Sequence, residues 1–406
     1  VSARKHALGF VALSFAALAA VAVPSRARAV EFTLAGSTQL DYHFVPFNPG
    51  NVTDPRPRSH TIDGLTEELS IKVALDFSSH ISGNVKLCWG CHGFELGMAF
   101  VDFRVNDALN FRVGRFNPQF GEFQLRHDPG NHRTSDKPLP YDMGRMFYLY
   151  QFNRSVLPLP YVENAVEVSG SHFFGSRVQV DYAAHIATGL RATVNGPTDV
   201  DFISMHAPSF MVDNNSLPSV GGRVGVNVRL ADRVDWTVGG SALHGAYDPQ
   251  GLFTYTVLGI DTFLRIGRVN IRGEYLIRRT EMATGQDPTR WQYELPLLAD
   301  RSDFTETLFM VKDGFYVEVD GPVNRRVELV GRFDGIRRIG NVPVGVPLDF
   351  NAGMLRGTLG ANFIIARGYR VKSSVEYWRV WGVRSDLGNP VPENGLGLHL
   401  GVVATF

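Results

Sequence analysis

Leu396-Gly-Leu-His-Leu-Gly-Val-Val-Ala-Thr-Phe406 closes the chain on a regular alternation. Leu396, Leu398, Leu400, Val402, Ala404 and Phe406 fall on one face, and the residues between them on the other. A period of two is that of a β-strand. Working back along the chain, the same period returns. Val371, Val375 and Tyr377 oppose Arg370, Lys372 and Glu376, and Val327, Leu329 and Phe333 oppose Glu328, Arg332 and Asp334. Val269, Ile271, Gly273, Tyr275 and Ile277 oppose Asn270, Arg272, Glu274 and Arg278. Val224 to Leu230, Val178 to Ala184 and Leu109 to Val113 repeat it.

Alternation alone suits a soluble sandwich as well as a barrel. Three features separate them. Many segments reach ten residues or more, the roughly 9–11 that a tilted strand needs to cross a bilayer. The polar faces carry charges of both signs, as a wet lumen requires. The last strand, ending on Phe406, resembles the C-terminal insertion signal of bacterial outer-membrane proteins. Only a closed barrel lets strands cross lipid without an unpaired edge. Short links at Asn106–Ala108, Ala231–Arg233 and Gly267-Arg268 alternate with long ones at Pro46–Gly64, Asn195–Pro218, Thr280–Asp303 and Gly340–Asn351. The expected fold is therefore an all-β, transmembrane antiparallel β-barrel of about sixteen strands.

The N-terminus reads as a targeting segment. Arg4, Lys5 and His6 precede an apolar run over Ala7–Val23, and Ala27-Arg28-Ala29 has the small-x-small pattern of a cleavage site. Residues 1–29 are expected to be a signal peptide and 30–406 the barrel. Cleavage would remove four of the 40 basic groups and none of the 40 acidic ones. The slightly acidic remainder gives no reason to expect nucleic acid as a partner. Gly 42 and Phe 28 suit short strands and aromatic girdles.

One connection, at about 119–160, is long and charged. It holds Arg126, His127, His132, Arg133, Lys137, Arg145 and Arg154, with Glu122, Asp128, Asp136 and Asp142. A loop of this length is usually functional. It either folds inward and constricts the lumen or packs over the barrel mouth. Arg112, Arg115, Arg126, Arg133, Lys137 and Arg145 are the candidate pore-lining cations.

The run from Leu69 to Glu122, with LSIKVALDFSSHISGNVKL, FELGMAFVDFRV and FRVGRFNPQFGEF, resembles the phosphate-selective porin O/P family and related sixteen-stranded porins. That resemblance implies a trimeric, often anion-selective channel for small hydrophilic solutes in the outer-membrane lipid. The near charge balance of the long loop departs from a phosphate specialist, so general porin character is what the resemblance supports.

Cys88-Trp-Gly-Cys91-His92 holds both cysteines of the chain. It is the spelling of a c-type haem attachment site, in which Cys88 and Cys91 bond the haem and His92 supplies an axial nitrogen. Two other readings stay open. One is a Cys88–Cys91 disulfide in an oxidising compartment. The other is a zinc site, with the two cysteines as one half and His92 and a loop histidine, His127 or His132, completing it. A haem would make the barrel part of an electron path that needs periplasmic cytochromes as partners. A disulfide would suit a plugged structural barrel. No nucleophile, oxyanion loop or paired-carboxylate motif points to an enzyme.

Overall fold

The computed structural model describes residues 30–45, 61–90, 93–128, 130–142, 155–157, 159–190, 213–248, 250–281, 309–340, 348–383 and 394–406. The expected signal peptide at 1–29 lies outside them. Sixteen strands succeed one another: β1 (Glu31–Val45), β2 (Thr61–Asp76), β3 (Ile81–Gly90), β4 (Gly93–Asn106), β5 (Leu109–Phe116), β6 (Glu163–Phe174), β7 (Val178–Ala187) and β8 (Ser219–Ala231). The second half adds β9 (Val234–Ala246), β10 (Thr254–Ile266), β11 (Val269–Glu281), β12 (Phe309–Pro322), β13 (Val327–Gly340), β14 (Leu348–Ala366), β15 (Tyr369–Val383) and β16 (Asn394–Thr405).

Each strand pairs antiparallel with its sequence neighbours, and β1 pairs with β16, closing the sheet. Ser37 faces Thr405 and Phe44 faces Leu398 across that seam. The sequence-based expectation of about sixteen antiparallel strands holds. Every ladder hydrogen bond is made within the sheet, which is the condition for crossing lipid.

Burial runs opposite to that of a water-soluble protein. Leu359, Ile365 and Phe32 are 69%, 70% and 72% exposed on the outside, with dozens of other apolar side chains beside them. Glu318, Arg332, Asp334, Arg356, Lys372 and Glu376 are buried inside. Charged groups are almost never buried unless paired, and here the pairs lie in the lumen.

Short connections (77–80, 107–108, 175–177, 232–233, 267–268, 323–326 and 367–368) gather at one end of the barrel. The two-residue turn after β10 needs a left-handed first residue, and Gly267 supplies it with φ +61°. The long connections gather at the other end, together with the short gap between β3 and β4.

Candidate functional site, a loop bonded across the barrel lumen

The described parts of the chain between β5 and β6 (117–128, 130–142, 155–157 and 159–162) turn into the barrel rather than over its mouth. The chain bends at Gly121, φ +63°, and makes one 3-10 turn at Phe123–Arg126. An irregular segment buried this way must find partners for its main-chain groups. The inward side chains of the wall provide them. Gln119 N–H donates to Glu167 Oε2 at 2.8 Å, Gly121 N–H to Ser241 Oγ at 2.9 Å and Leu139 N–H to Asp334 Oδ2 at 2.9 Å. In the other direction, Arg278 donates to Val156 O at 2.8 Å, Asn362 to Arg133 O at 3.0 Å and Arg370 to Gly130 O at 2.8 Å. β6, β9, β11, β13, β14 and β15 thus all hold the loop.

Apolar packing adds to these bonds. Phe120, Phe123, Leu139, Tyr141, Val156, Leu157, Leu159 and Tyr161 of the loop are buried against Leu243, Tyr255, Val257, Leu276, Tyr316, Ile336, Met354 and Trp378 of the wall. Phe123 stacks on Tyr141 at 5.4 Å between ring centroids and meets Tyr316 edge-on at 5.9 Å. Burying one such side chain contributes about 1.5–3 kcal/mol. The inner wall of β9 to β15 thus carries an apolar band, with buried Arg278, Lys312 and Arg338 on its long-loop side and further charges below it.

The charged part is an ionic clamp. Arg356 reaches Asp334 with two donors (Nε–Oδ1 3.1 Å, Nη2–Oδ2 2.7 Å), Asp136 Oδ2 at 3.1 Å, Glu376 Oε2 at 3.3 Å and Lys137 O at 2.6 Å. Arg332 donates to Thr134 Oγ1 at 2.6 Å and Asp136 O at 3.0 Å, and its Nε lies 3.2 Å from Asp334. Nearer the start of the loop, Arg126 pairs with Glu122 at 2.7 Å and Glu318 at 3.4 Å, and Lys86 of β3 bonds Asp128. Burial pushes the His127 imidazole down to about 4. Against the burial that would raise it, His127 and Lys86 hold the Asp128 carboxyl at about 2.

Several sequence-predicted residues meet here. Arg126, Arg133 and Lys137 belong to the inward loop, Arg133 pairing with Glu328 at 3.4 Å and Lys137 donating to Leu159 O at 3.2 Å. Arg112 faces the lumen, 2.7 Å from Asp102 and over the rings of Phe100 and Phe116. Arg115 is a correction. It shares the outward face of β5 with Phe111 and Val113 and donates Nε to Leu96 O at 3.2 Å, so it does not line the lumen. Period-two alternation already puts it there. Arg145 lies outside the described residues.

The expected metal grouping of His92 with His127 or His132 turns on His92, which lies outside the described residues. His127 and His132 each turn Nδ1 to a main-chain carbonyl, Gln124 O at 2.7 Å and Thr134 O at 2.8 Å. Neither belongs to a group of three metal-ligating side chains among the described residues. Cys88 is opposite Ser70 near the end of β3, on the inward face with Lys86, and its sulfur lies 2.8 Å from where a Cβ on Gly97 would stand. Cys91 and His92 fall between β3 and β4, outside the described residues.

Sequence reasoning placed Glu274 and Arg278 on a polar inner face without connecting them to the loop, and it missed Arg356, Asn362 and His399 of the wall that receives it. Charges at every second residue of the inner faces were the available signal. The Asp102 and Arg112 pair lies at the short-turn end of the lumen. A polar cavity of about 380 Å³ there is lined by Asp76, His80, Asp102, Arg104, Arg112 and Ser169, among others.

No protein-family model matches the chain, and no curated protein matches it in sequence. Solved structures do match in fold. The anion-selective porin from Comamonas acidovorans is 12% identical, with 93% of this chain and 100% of that one covered at a TM-score of 0.52. Salmonella typhi OmpF in complex with daunomycin is 9% identical, with 92% and 97% covered at 0.53. OmpT of Vibrio cholerae in its trimer form is 10% identical, with 93% and 100% covered at 0.50. The fold is that of the outer-membrane porins.

Proposed function

We propose that this chain is an outer-membrane channel of the porin type for small hydrophilic solutes, with 117–162 as its constriction loop. The observation that carries the reading is a closed barrel with an apolar outside, a charged inside and a loop bonded across the lumen. The loop packs against β11 to β16 and β1, where the inner charges are fully buried, and also bonds Lys86 of β3, Glu167 of β6 and Ser241 of β9. The solute path runs along the short-turn half of β4 to β8, where Asp102, Arg112, Asp181 and Asn227 are only partly buried. Along it Arg112 is paired with Asp102, and Arg223 with Asp261 at 2.6 Å. Paired charges predict weak ion selectivity rather than a phosphate-specific site. Assembly as a homotrimer is proposed from fold analogy alone.

Purified protein in a planar bilayer should give discrete conductance steps, and Arg112→Glu should shift the reversal potential towards cations. Absence of current above leak from correctly folded protein would overturn the channel reading in favour of a plugged barrel.

A second reading concerns Cys88, Cys91 and His92. We propose covalent haem at this motif, supported by its spelling and by the half-buried thiol of Cys88 beside the β3–β4 gap at the rim. Cys88 and Cys91 would hold the group, His92 would ligate its iron, and haem would supply one-electron chemistry to cytochrome partners. Lys86 and Asp128 leave a charged lumen below Cys88, so the fit rests on the rim. A haem stain and a pyridine-haemochrome band, from protein made with cytochrome maturation factors, test it. Their absence with a Cys88–Cys91 disulfide by mass spectrometry would leave a structural crosslink.

A further inference from the structure

Asp136 of the loop, Glu376 of β15 and His399 of β16 come together in the interior, all three buried, with one ligand atom from each inside a 4.8 Å span. His399 Nε2 lies 3.4 Å from Glu376 Oε2 and 3.9 Å from Asp136 Oδ2. Zinc bonds to nitrogen and oxygen of about 2.0–2.1 Å imply tetrahedral edges of roughly 3.3 Å, so these spacings are close to those of a ligand set around one ion.

The surroundings are those of such a site. His399 Nδ1 is 2.6 Å from His43 Nδ1, and His43 Nε2 is 2.9 Å from Thr66 Oγ1. A ligating histidine is normally oriented through its second ring nitrogen in this way. Thr358 Oγ1 donates to the other Glu376 oxygen, Oε1, at 3.3 Å. Asp136 Oδ1 is buried with no hydrogen-bond partner. Two carboxylates in a dry site require a cation or a shared proton between them.

Arg356 is the nearest cation, with Arg332 Nη2 3.8 Å from Glu376 Oε1, and both are largely committed elsewhere, Arg332 to Thr134, Asp136 O and Asp334. Two of the Arg356 donors go to Asp334 and one to Lys137 O, so the single nitrogen Nη1 serves both Asp136 and Glu376. Each carboxylate oxygen has a second lone pair for a metal ion, and the bidentate Asp334 neutralises the guanidinium.

We propose that Asp136, Glu376 and His399 bind a divalent transition-metal ion of the zinc class, which fastens the lumen loop to β15 and β16. The one-imidazole, two-carboxylate donor set suits zinc and leaves a fourth position for water. Ligands from the loop and from two wall strands converge only when the loop is docked, so the ion is taken up as the loop packs. The site does not depend on what passes through the barrel.

The test uses untagged full-length protein, refolded with zinc, desalted and analysed by elemental mass spectrometry. Heat-modifiable migration on a gel reports barrel formation independently. About one zinc per chain is expected for the parent, and less than a tenth for Glu376→Gln, His399→Ala and Asp136→Asn. Asp136 is on the loop, so Asp136→Asn leaves the strand ladder intact and decides the matter even if the strand variants fail to fold. Cobalt in place of zinc should give visible absorption in the parent and none in Asp136→Asn. His43→Ala should weaken zinc binding roughly 10–100-fold, as for an outer partner of a ligating histidine. A heat-modifiable parent that holds neither zinc nor cobalt would mean that the carboxylates share a proton only. Unchanged metal content in Asp136→Asn would overturn the assignment equally.

Discussion

Replacing Arg356 by Met removes the centre of the clamp between loop and wall while keeping the side chain's bulk. Arg356 is fully buried, and so are the Asp334, Glu376 and Asp136 carboxylates that it contacts. Taking away one partner of a buried ion pair costs about 3–5 kcal/mol, because the remaining charge is left uncompensated. Undocking the loop relieves the cost by letting water reach Asp334, Glu376 and Asp136. The docked-to-undocked ratio should therefore fall by roughly a hundredfold to several thousandfold. The ladder itself should survive, since the backbone of Arg356 stays between Asp334 and Trp378. Trypsin is a suitable probe, because the Arg126-His127 and Arg133-Thr134 bonds lie within the loop and cleavage tracks the open population when reclosing is fast. Parent and variant in detergent at neutral pH should differ in cleavage rate by at least a hundredfold, and the variant should conduct more in a bilayer. Arg265→Ala is the control: its pair with Asp235 is half-exposed, at 54% for the arginine, and should change docking by about 0–1 kcal/mol. If Arg356→Met is cut no faster than Arg265→Ala, then the apolar contacts hold the loop and the clamp reasoning fails.

Gly121→Val should detach the start of the loop without harming the barrel, since φ there is +63° and a Cβ would stand 2.6 Å from Glu274 Oε1; raised conductance with unchanged heat-modifiability checks it. Leu359→Arg places a charge on the lipid face at a residue 69% exposed, and should cost about 2–4 kcal/mol near the bilayer centre, read as a lower urea midpoint in vesicles. Acid should loosen the loop through His127, whose docked value of about 4 lies below the ordinary 6.5. The undocked loop then binds the proton more strongly, so this contribution to docking is intact above pH 6.5 and is lost progressively down to pH 4. Conductance of the parent should rise over that window relative to His127→Gln, and parallel profiles would count against it.

The barrel was legible in the sequence because each strand states its own faces. Val327 to Asp334 and Val371 to Tyr377 needed no partner to show which residues point to lipid. Arg115 shows the error that arises when charge overrules that period, for its place two residues after Val113 already put it outside. The inward fold of the loop was harder to see, since it depends on a match between distant segments. Leu243, Tyr255, Leu276, Ile336, Met354 and Trp378 all break the polar rule of the inner faces towards one end of the barrel, and the loop brings Phe120, Phe123 and Tyr141 to meet them. An apolar inner face is wasted in a water-filled lumen, so such a run of exceptions signals that something packs there. The Asp136, Glu376 and His399 grouping has no local spacing at all. Register fixes Glu376 and His399 two ladder positions apart, Glu376 opposite Gly397 and Ser374 opposite His399, but only loop docking adds Asp136. The Cys88–His92 motif is the reverse case. The haem chemistry proposed for it is written within five residues and needs no fold to be suggested, whereas the lumen site we propose can form only once the barrel has closed and the loop has entered it.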